Sequence, residues 1–113
     1  MSKYGNRKTV LDGQVFDSKH EAERWIQLKY LERAGLIWGL KRQVPFILIP
    51  AQKDETGKVI ERAVKYIADF TYDEPGKDGM HMVVEDAKGV KTDVYRIKKK
   101  LMLQKYGIIV KEV

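Results

Sequence analysis

The 113-residue sequence contains no cysteine. That absence excludes a disulfide-stapled scaffold, a thiolate zinc site and a cysteine nucleophile. No apolar run approaches the ~20 residues that a membrane-spanning helix needs, and the first residues lack the apolar core of a signal peptide. We therefore expect a cytoplasmic protein with no membrane partner.

The sequence also lacks an internal repeat, a low-complexity tract and a linker. Its length allows at most one domain of ordinary size, since domains typically hold about 100–200 residues. Apolar residues make up 43% and charged residues 34%, which is the composition of a globular protein. We therefore predict a single domain over residues 1–113, with residues 1–8 as a flexible basic arm.

The net charge of +6 is distributed unevenly along the chain. Residues 1–42 carry +4, residues 43–87 carry −4 and residues 88–105 carry +6, while residues 106–113 are neutral. A basic total favours an anionic partner such as nucleic acid. Along the chain, the acidic segment directly precedes the second basic segment. The acidic segment can attract a cation, and the basic segment can bind phosphate.

Local signals predict a hairpin, a helix, a group of strands, a second helix and a last strand. Asp12 and Gly13 suit the positive-φ positions of a type I′ turn, and Ser18 and Thr92 are typical N-cap residues. The predicted elements are a hairpin over 10–16, a helix over 18–34, one or two strands over 37–49 interrupted at Pro45, a turn within 52–58, a strand over 63–72, a turn over 74–79, a strand over 80–88, a helix over 92–106 and a strand over 108–113.

Apolar side chains at helical spacing predict the buried face of each helix. These are Ala22, Trp25, Ile26, Leu28, Leu31 and Ala34 in the first helix and Val94, Ile97 and Leu101 in the second. A right-handed crossover through the second helix can place the last strand parallel to strand 80–88. The sequence therefore predicts an α/β (α+β) fold with a mixed central sheet flanked by helices.

Two carboxylates stand out because apolar strand residues precede them. Asp69 lies in the segment 64–70, and Asp86 ends a similar run. A charge in an apolar strand is costly unless it is paired or bound to a metal. Because strand side chains alternate, Asp86 and Lys88 should share a face about 7 Å apart, with Glu85 on the other face. A carboxylate and an ammonium at that separation can act together on one phosphate.

Glu21, in the first turn of the first helix, has two interpretations. It could complete a carboxylate cluster with Asp69 and Asp86, or it could serve only in a capping box that begins at Ser18. Hard carboxylate oxygens, without cysteine or a histidine pair, select Mg²⁺ or Mn²⁺. The Asp-x-Lys pattern by itself is also typical of a solvated ion pair.

The basic residues that follow Asp86 supply candidate contacts to phosphate. The set comprises Lys91, Arg96, Lys98 and Lys99. Such side chains bind a nucleic-acid backbone without reading its bases, but a lysine run on a helix is equally typical of a solvated surface. Secondary site candidates are Gln43, Glu85 and Tyr95, and surface or hairpin roles explain Gln43 and Tyr95 as well.

The order of these features along the chain resembles that of the PD-(D/E)XK nuclease superfamily. The features are a helix with Glu21, a strand with Asp69, a strand that ends in Asp86-Ala87-Lys88 and a basic helix. The segments that carry the likeness are 16–21, 66–70 and 83–89. They are most similar to a branch of small phage-encoded endonuclease-like proteins, and the likeness covers residues 9–113. The resemblance implies a restriction-endonuclease-like core with the order helix, three-stranded antiparallel meander, helix and strand.

The resemblance also implies a site. Asp69 and Asp86 would be metal ligands together with the Ala87 carbonyl, Glu21 would be a further ligand, and Lys88 would be the catalytic lysine. The metal would be Mg²⁺ or Mn²⁺. Asp86 stands where the superfamily more often has glutamate.

We therefore expect a Mg²⁺-dependent DNA endonuclease. By analogy with small phage nucleases, its substrate would be branched or Holliday-junction DNA in phage recombination or replication, and the setting would be the host cytoplasm. Enzymes that cut paired strands act as dimers, which makes a homodimer the corresponding assembly. Three alternatives stay open: a non-catalytic DNA-binding module on the same fold, a protein-interaction accessory subunit, and a basic α/β domain with surface ion pairs alone.

Overall fold

A computed structural model describes residues 8–87 and 90–113 of the chain. The predicted residues 1–7 of the arm and Lys88 lie outside the described residues. The elements are β1 (Thr9–Leu11), β2 (Gln14–Phe16), α1 (Lys19–Arg33), β3 (Trp38–Ile49), β4 (Gln52–Lys53), β5 (Val59–Glu61), β6 (Val64–Gly76), β7 (Gly79–Asp86), α2 (Asp93–Tyr106) and β8 (Lys111–Glu112).

The turn and cap residues act as predicted. Asp12 and Gly13 have φ values of 51° and 74°, as the tight turn between β1 and β2 requires. The Ser18 side chain accepts a hydrogen bond from the Glu21 backbone N–H at the start of α1, and Thr92 caps α2 in the same way. Local chemistry therefore sets where both helices begin.

The central sheet has the strand order β3-β6-β7-β8. Strands β3, β6 and β7 pair antiparallel, and β8 pairs parallel to β7, which confirms a mixed sheet. The predicted interruption at Pro45 is wrong, because β3 runs through it and Pro45 pairs with Ile67. Proline is tolerated there because β3 is an edge strand, so the missing N–H need not serve a further strand.

The turn predicted within residues 52–58 is confirmed: it joins β4 to β5, and the Gly57 N–H donates to the Asp54 carbonyl. Two strand boundaries differ from the prediction. The last strand is shorter than predicted and comprises only Lys111–Glu112. Strand β6 continues through Gly76, so the turn that follows is confined to residues 77–78. Long antiparallel pairing between β6 and β7 explains why turn-forming residues at 74–76 remain extended.

Two apolar clusters lie on opposite faces of the sheet, one under each helix. Val83 packs against the cluster of α1, and its neighbour Val84 belongs to the cluster of α2. The predicted apolar faces were partly wrong: Ile26 is 40% exposed, and Val94 and Ile97 are 61% and 57% exposed. In α2 the buried residues are Tyr95 and Met102 instead. The Tyr95 hydroxyl donates a hydrogen bond to Glu112 on β8.

Across residues 8–87 and 90–113, no helix combines the length and the hydrophobicity required to cross a bilayer.

An ion pair joins α1 to the sheet. Glu85 is fully buried and accepts two hydrogen bonds from Arg24, at 2.8 Å from Nε and 2.7 Å from Nη2. The Tyr72 hydroxyl donates to the same carboxylate. Burying a carboxylate costs free energy unless a charge and hydrogen bonds compensate for it, and here both are present.

We predict that Arg24→Ala lowers the free energy of unfolding by about 3 kcal/mol, because it leaves Glu85 buried without its guanidinium. Urea unfolding of wild type and variant measures the change. Arg33→Ala, at an exposed position of the same helix, is the matched control and should change little. Equal stability of Arg24→Ala and wild type would contradict a structural role for the pair.

Candidate functional site

The regular alternation of β6 breaks at Asp69. Tyr66 and Ala68 belong to the cluster under α2, whereas Phe70 and Tyr72 belong to the cluster under α1. All four positions would share one face of an undistorted strand. The side chains of β6 therefore change sides at Asp69.

The neighbouring strand breaks at the same level. Gln43 has a φ of 52°, which is uncommon for a residue other than glycine. The register between β3 and β6 is the same before and after this point, with Arg42 opposite Phe70 and Val44 opposite Ala68, so the distortion is in the backbone and not in the pairing. Strained backbone of this kind persists where the surrounding structure determines it, as at functional sites.

The Gln43 side chain joins two of the predicted carboxylates. Its Nε2 lies 3.3 Å from Glu21 Oε1 and 3.4 Å from Asp69 Oδ1, and it donates to both. The other oxygen of Asp69 accepts a hydrogen bond of 2.8 Å from the Ala87 backbone N–H. Asp69 is thereby held beside the end of β7, next to Asp86.

Glu21 is buried at the start of α1 and has more partners than a cap requires. Arg42 Nη2 donates to its Oε1 at 3.3 Å, and the Asp17 backbone N–H donates to Oε2 at 3.4 Å. Burial raises the pKa of the Glu21 carboxyl above its ordinary value of 4.5, although the Arg42 hydrogen bond lowers it. The backbone of Glu21 thus serves the cap, while its side chain faces Arg42 and Gln43.

Arg42 is itself fixed by the β1–β2 hairpin. Its guanidinium carbon lies 3.8 Å from the centre of the Phe16 ring, and its nitrogens donate to Gln14 Oε1 at 3.0 Å and to the Val15 carbonyl at 3.1 Å. The hairpin therefore positions the cation that faces Glu21.

Asp86 is buried on the α2 side of the sheet. Its Oδ2 accepts a hydrogen bond of 2.5 Å from the Tyr66 hydroxyl, and its backbone carbonyl accepts one from the Val113 N–H. Burial, followed by the hydrogen bond to Asp86, raises the pKa of Tyr66 far above its ordinary value, so this hydroxyl remains a donor at neutral pH.

Tyr95 lies close to the same carboxylates. Its hydroxyl donates to Glu112 Oε2 at 2.8 Å. Burial raises the pKa of Tyr95, the hydrogen bond to Glu112 adds to the rise, and the charges of Asp86 and Asp69 raise it further. Tyr95, a secondary site candidate, is therefore close enough to Asp69 and Asp86 for their charges to act on it.

The two neighbouring acids of β7 point to opposite faces, as the alternation predicted. Asp86 contacts Tyr66, while Glu85 contacts Arg24 and Tyr72. Glu85 therefore belongs to the α1 interface and is not part of the carboxylate group at Asp69. The position of Lys88, the predicted catalytic lysine, is outside the described residues.

The predicted phosphate contacts do not share one surface. Lys91 and Lys99 both pair with Glu112, at 3.1 Å and 3.4 Å, and Arg96 pairs with Asp93. These three basic side chains line a groove of about 450 Å³ between α2 and β8. Lys98 lines a second groove on the other flank of α2.

The donor chemistry of the site fits a hard divalent cation. Glu21 and Asp69 both accept hydrogen bonds from the Gln43 side-chain amide. Asp86 precedes Ala87, whose backbone N–H donates to Asp69. Carboxylate oxygens are the ligands that Mg²⁺ and Mn²⁺ prefer. Within the described ranges, no three histidine, aspartate or glutamate side chains are placed so that together they could hold a metal ion. Loading with a cation would therefore exchange some of the present hydrogen bonds.

Sequence reasoning missed Arg42 and Tyr66. Arg42 precedes the candidate Gln43, but its reach to Glu21 depends on the hairpin beneath it. Tyr66 would point away from Asp86 in a regular strand, and only the break at Asp69 turns it toward that residue. No local signal in the sequence reveals either contact.

The fold and this site define a small mixed α/β domain with carboxylates gathered where two strands lose their regular alternation. The chain belongs to the family described as “Protein of unknown function (DUF1064)”, whose model matches residues 1–112. No curated protein and no solved structure matches the chain. The family description assigns no activity, so a functional proposal rests on the residues themselves.

We predict that Glu112→Gln lowers the free energy of unfolding at pH 7 by about 0.5–1 kcal/mol. The Tyr95 hydrogen bond, followed by those from Lys91 and Lys99, lowers the pKa of Glu112 below 4.5. A carboxyl with a lowered folded-state pKa contributes stability above its unfolded-state pKa, and that stability is lost as the pH falls through the folded-state value.

Urea unfolding at pH 7 and pH 3 should therefore show a larger difference between wild type and Glu112→Gln at pH 7 than at pH 3. Glu61→Gln, on exposed β5, is the control and should show little difference at either pH. An equal loss at both pH values for Glu112→Gln would mean that its charge contributes nothing.

Proposed function

We propose that the protein is a Mg²⁺- or Mn²⁺-dependent endodeoxyribonuclease. The observation that carries the proposal is the convergence of Glu21 and Asp69 on Gln43, with Asp86 brought alongside through Ala87. These residues come from α1, β3, β6 and β7, so the whole fold contributes to gathering them. Gathered carboxylates suit the metal-assisted hydrolysis of a phosphodiester.

Asp69 and Asp86, the Ala87 carbonyl and Glu21 are the groups that would hold the cation. When bound, a divalent cation supplies charge stabilisation at phosphorus and lowers the pKa of bound water. The surrounding residues keep the carboxylates in place: Tyr66 donates to Asp86, and Arg42 with Gln43 donates to Glu21.

Lys88 is proposed as the catalytic lysine from its place in the sequence, two residues after Asp86. Its ammonium would orient the attacking water and stabilise the negative charge that develops on the phosphate oxygens. The basic residues Lys91, Arg96, Lys98 and Lys99 are proposed to contact the DNA backbone. Such contacts position DNA without reading sequence, which favours a substrate recognised by its structure, such as a four-way junction in phage recombination.

A second candidate is a DNA-binding or protein-interaction accessory module without catalysis. One observation favours it: the carboxylate oxygens of Asp69 and Asp86 already accept hydrogen bonds from Ala87 and Tyr66. Hydrogen bonds of this kind also hold carboxylates that are purely structural. This candidate predicts that wild type binds DNA but cleaves none with any divalent metal.

We predict that wild type cleaves supercoiled or four-way-junction DNA with Mg²⁺ or Mn²⁺. Asp69→Asn, Asp86→Asn and Lys88→Ala should each lower the rate by at least about 100-fold, since each removes charge from the reacting centre. Gel electrophoresis of the products over time measures the rates.

Asp73→Asn is the matched control, because Asp73 lies on the same strand β6 but pairs with Met82, away from the site. It should cleave at the wild-type rate. Undiminished cleavage by Asp86→Asn and Lys88→Ala would remove these residues from the mechanism, and absence of cleavage by wild type with either metal would overturn the proposal.

A further inference from the structure

Helix α2 has basic side chains on two flanks, and their surroundings differ. On the flank toward β8, Lys91 and Lys99 are held by Glu112. On the flank toward β6, Lys98 and Lys65 line a groove of about 240 Å³. Neither of these two ammoniums forms an ion pair with any carboxylate in residues 8–87 and 90–113.

The difference matters for binding an anion. A lysine that is already paired must give up its carboxylate, so its gain on meeting phosphate is reduced. Lys65 and Lys98 have no such competitor in the described structure, so neither has to release a carboxylate before it binds a phosphate. The flank toward β6 therefore offers the stronger attraction to phosphate.

The walls of this groove lead to the carboxylate site. Tyr66 and Tyr95 line it together with the apolar side chains of Ile67 and Val94. The Tyr66 hydroxyl donates to Asp86, so one side chain connects the groove to the buried acid. A ligand lying here would be next to the site of the proposed reaction.

The apolar wall of this groove is exposed in the described part of the chain. Val94 is 61% exposed and Ile67 is 52% exposed, and both flank the two lysines. A nucleic-acid strand combines regularly spaced anionic phosphates with apolar sugar and base faces. That combination matches a groove with two ammoniums and an apolar wall.

We propose that this groove, formed by Lys65, Lys98, Tyr66, Tyr95, Ile67 and Val94, binds one strand of DNA and leads its backbone to Asp69 and Asp86. Lys65 and Lys98 contact phosphates next to the one that is cut. Lys65 is a phosphate contact in addition to the basic residues that follow Asp86. The inference rests on the proposed function for its substrate and deepens it by locating the strand on the β6 flank of α2.

The test measures binding of a fluorescent four-way junction at several KCl concentrations, with Ca²⁺ in place of Mg²⁺. Lys65→Gln/Lys98→Gln should reduce the slope of log affinity against log salt by about 2, since each lost phosphate contact removes about 0.9. Affinity at 0.1 M KCl should fall at least about tenfold. Lys53→Gln/Lys58→Gln, on the exposed β4–β5 hairpin, loses the same charge and should leave the slope unchanged.

A third variant, Lys91→Gln/Lys99→Gln, examines the other flank and should reduce the slope less. A wild-type slope for Lys65→Gln/Lys98→Gln, or a larger loss for Lys91→Gln/Lys99→Gln, would overturn the inference. Circular dichroism melting verifies that each variant is folded, as expected for substitutions at exposed or half-buried lysines.

Failure of this inference is distinguishable from failure of the proposed function. If Asp69→Asn abolishes cleavage while Lys65→Gln/Lys98→Gln binds normally, the hydrolase proposal stands and the groove does not bind the strand. If Lys65→Gln/Lys98→Gln loses binding while wild type cleaves DNA with neither Mg²⁺ nor Mn²⁺, the groove is supported and the hydrolase proposal fails. Wild type that does not bind DNA even at low salt contradicts both.

Discussion

The simultaneous break in β3 and β6 is the constraint on which the candidate site depends. With Gln43 in a left-handed conformation and Asp69 opposite it, strand β6 can contribute Tyr66 to one core and Phe70 to the other. In a regular strand these two side chains would share one face. The break brings Asp69 within hydrogen-bonding distance of Gln43 and Ala87, and so joins the start of α1 to the end of β7.

Two adjacent acids of β7 show how the same sheet supports stability and a candidate reaction. Glu85 is buried against α1 and compensated by a guanidinium with two hydrogen bonds. Asp86 faces the other helix and accepts from a tyrosine hydroxyl whose raised pKa keeps it protonated. The first arrangement fixes the position of β7 against α1. The second leaves a carboxylate beside Asp69 that Tyr66 connects to the groove lined by Lys98 and Lys65.

Much of the fold could be predicted from local chemistry. The Asp12-Gly13 turn and the Ser18 and Thr92 caps have short-range signals, and the parallel placement of the last strand follows from the crossover rule. The structure has each of them. The buried face of α2 could not be predicted in this way. Its apolar stripe at Val94 and Ile97 is exposed because Tyr95 is directed to Glu112 and the carboxylates.

In the candidate site, too, some contacts could be predicted from the sequence and others could not. Strand alternation correctly separated Asp86 from Glu85, because that argument needs only adjacent residues of one strand. Alternation could not place Tyr66 beside Asp86, since the break at Asp69 depends on the neighbouring strand. Nor could it show that Glu112 engages Lys91 and Lys99, because β8 meets α2 only in the folded chain.

We propose that Asp69 and Asp86 hold a divalent cation together, with Glu21 nearby. A crystal structure of wild type grown with Mn²⁺, with diffraction recorded at a wavelength where manganese scatters anomalously, tests it most directly. We expect an anomalous peak between Asp69 and Asp86, about 2.1–2.2 Å from a carboxylate oxygen of each. Full Mn²⁺ occupancy elsewhere on the protein, with no peak between these two aspartates, would contradict it.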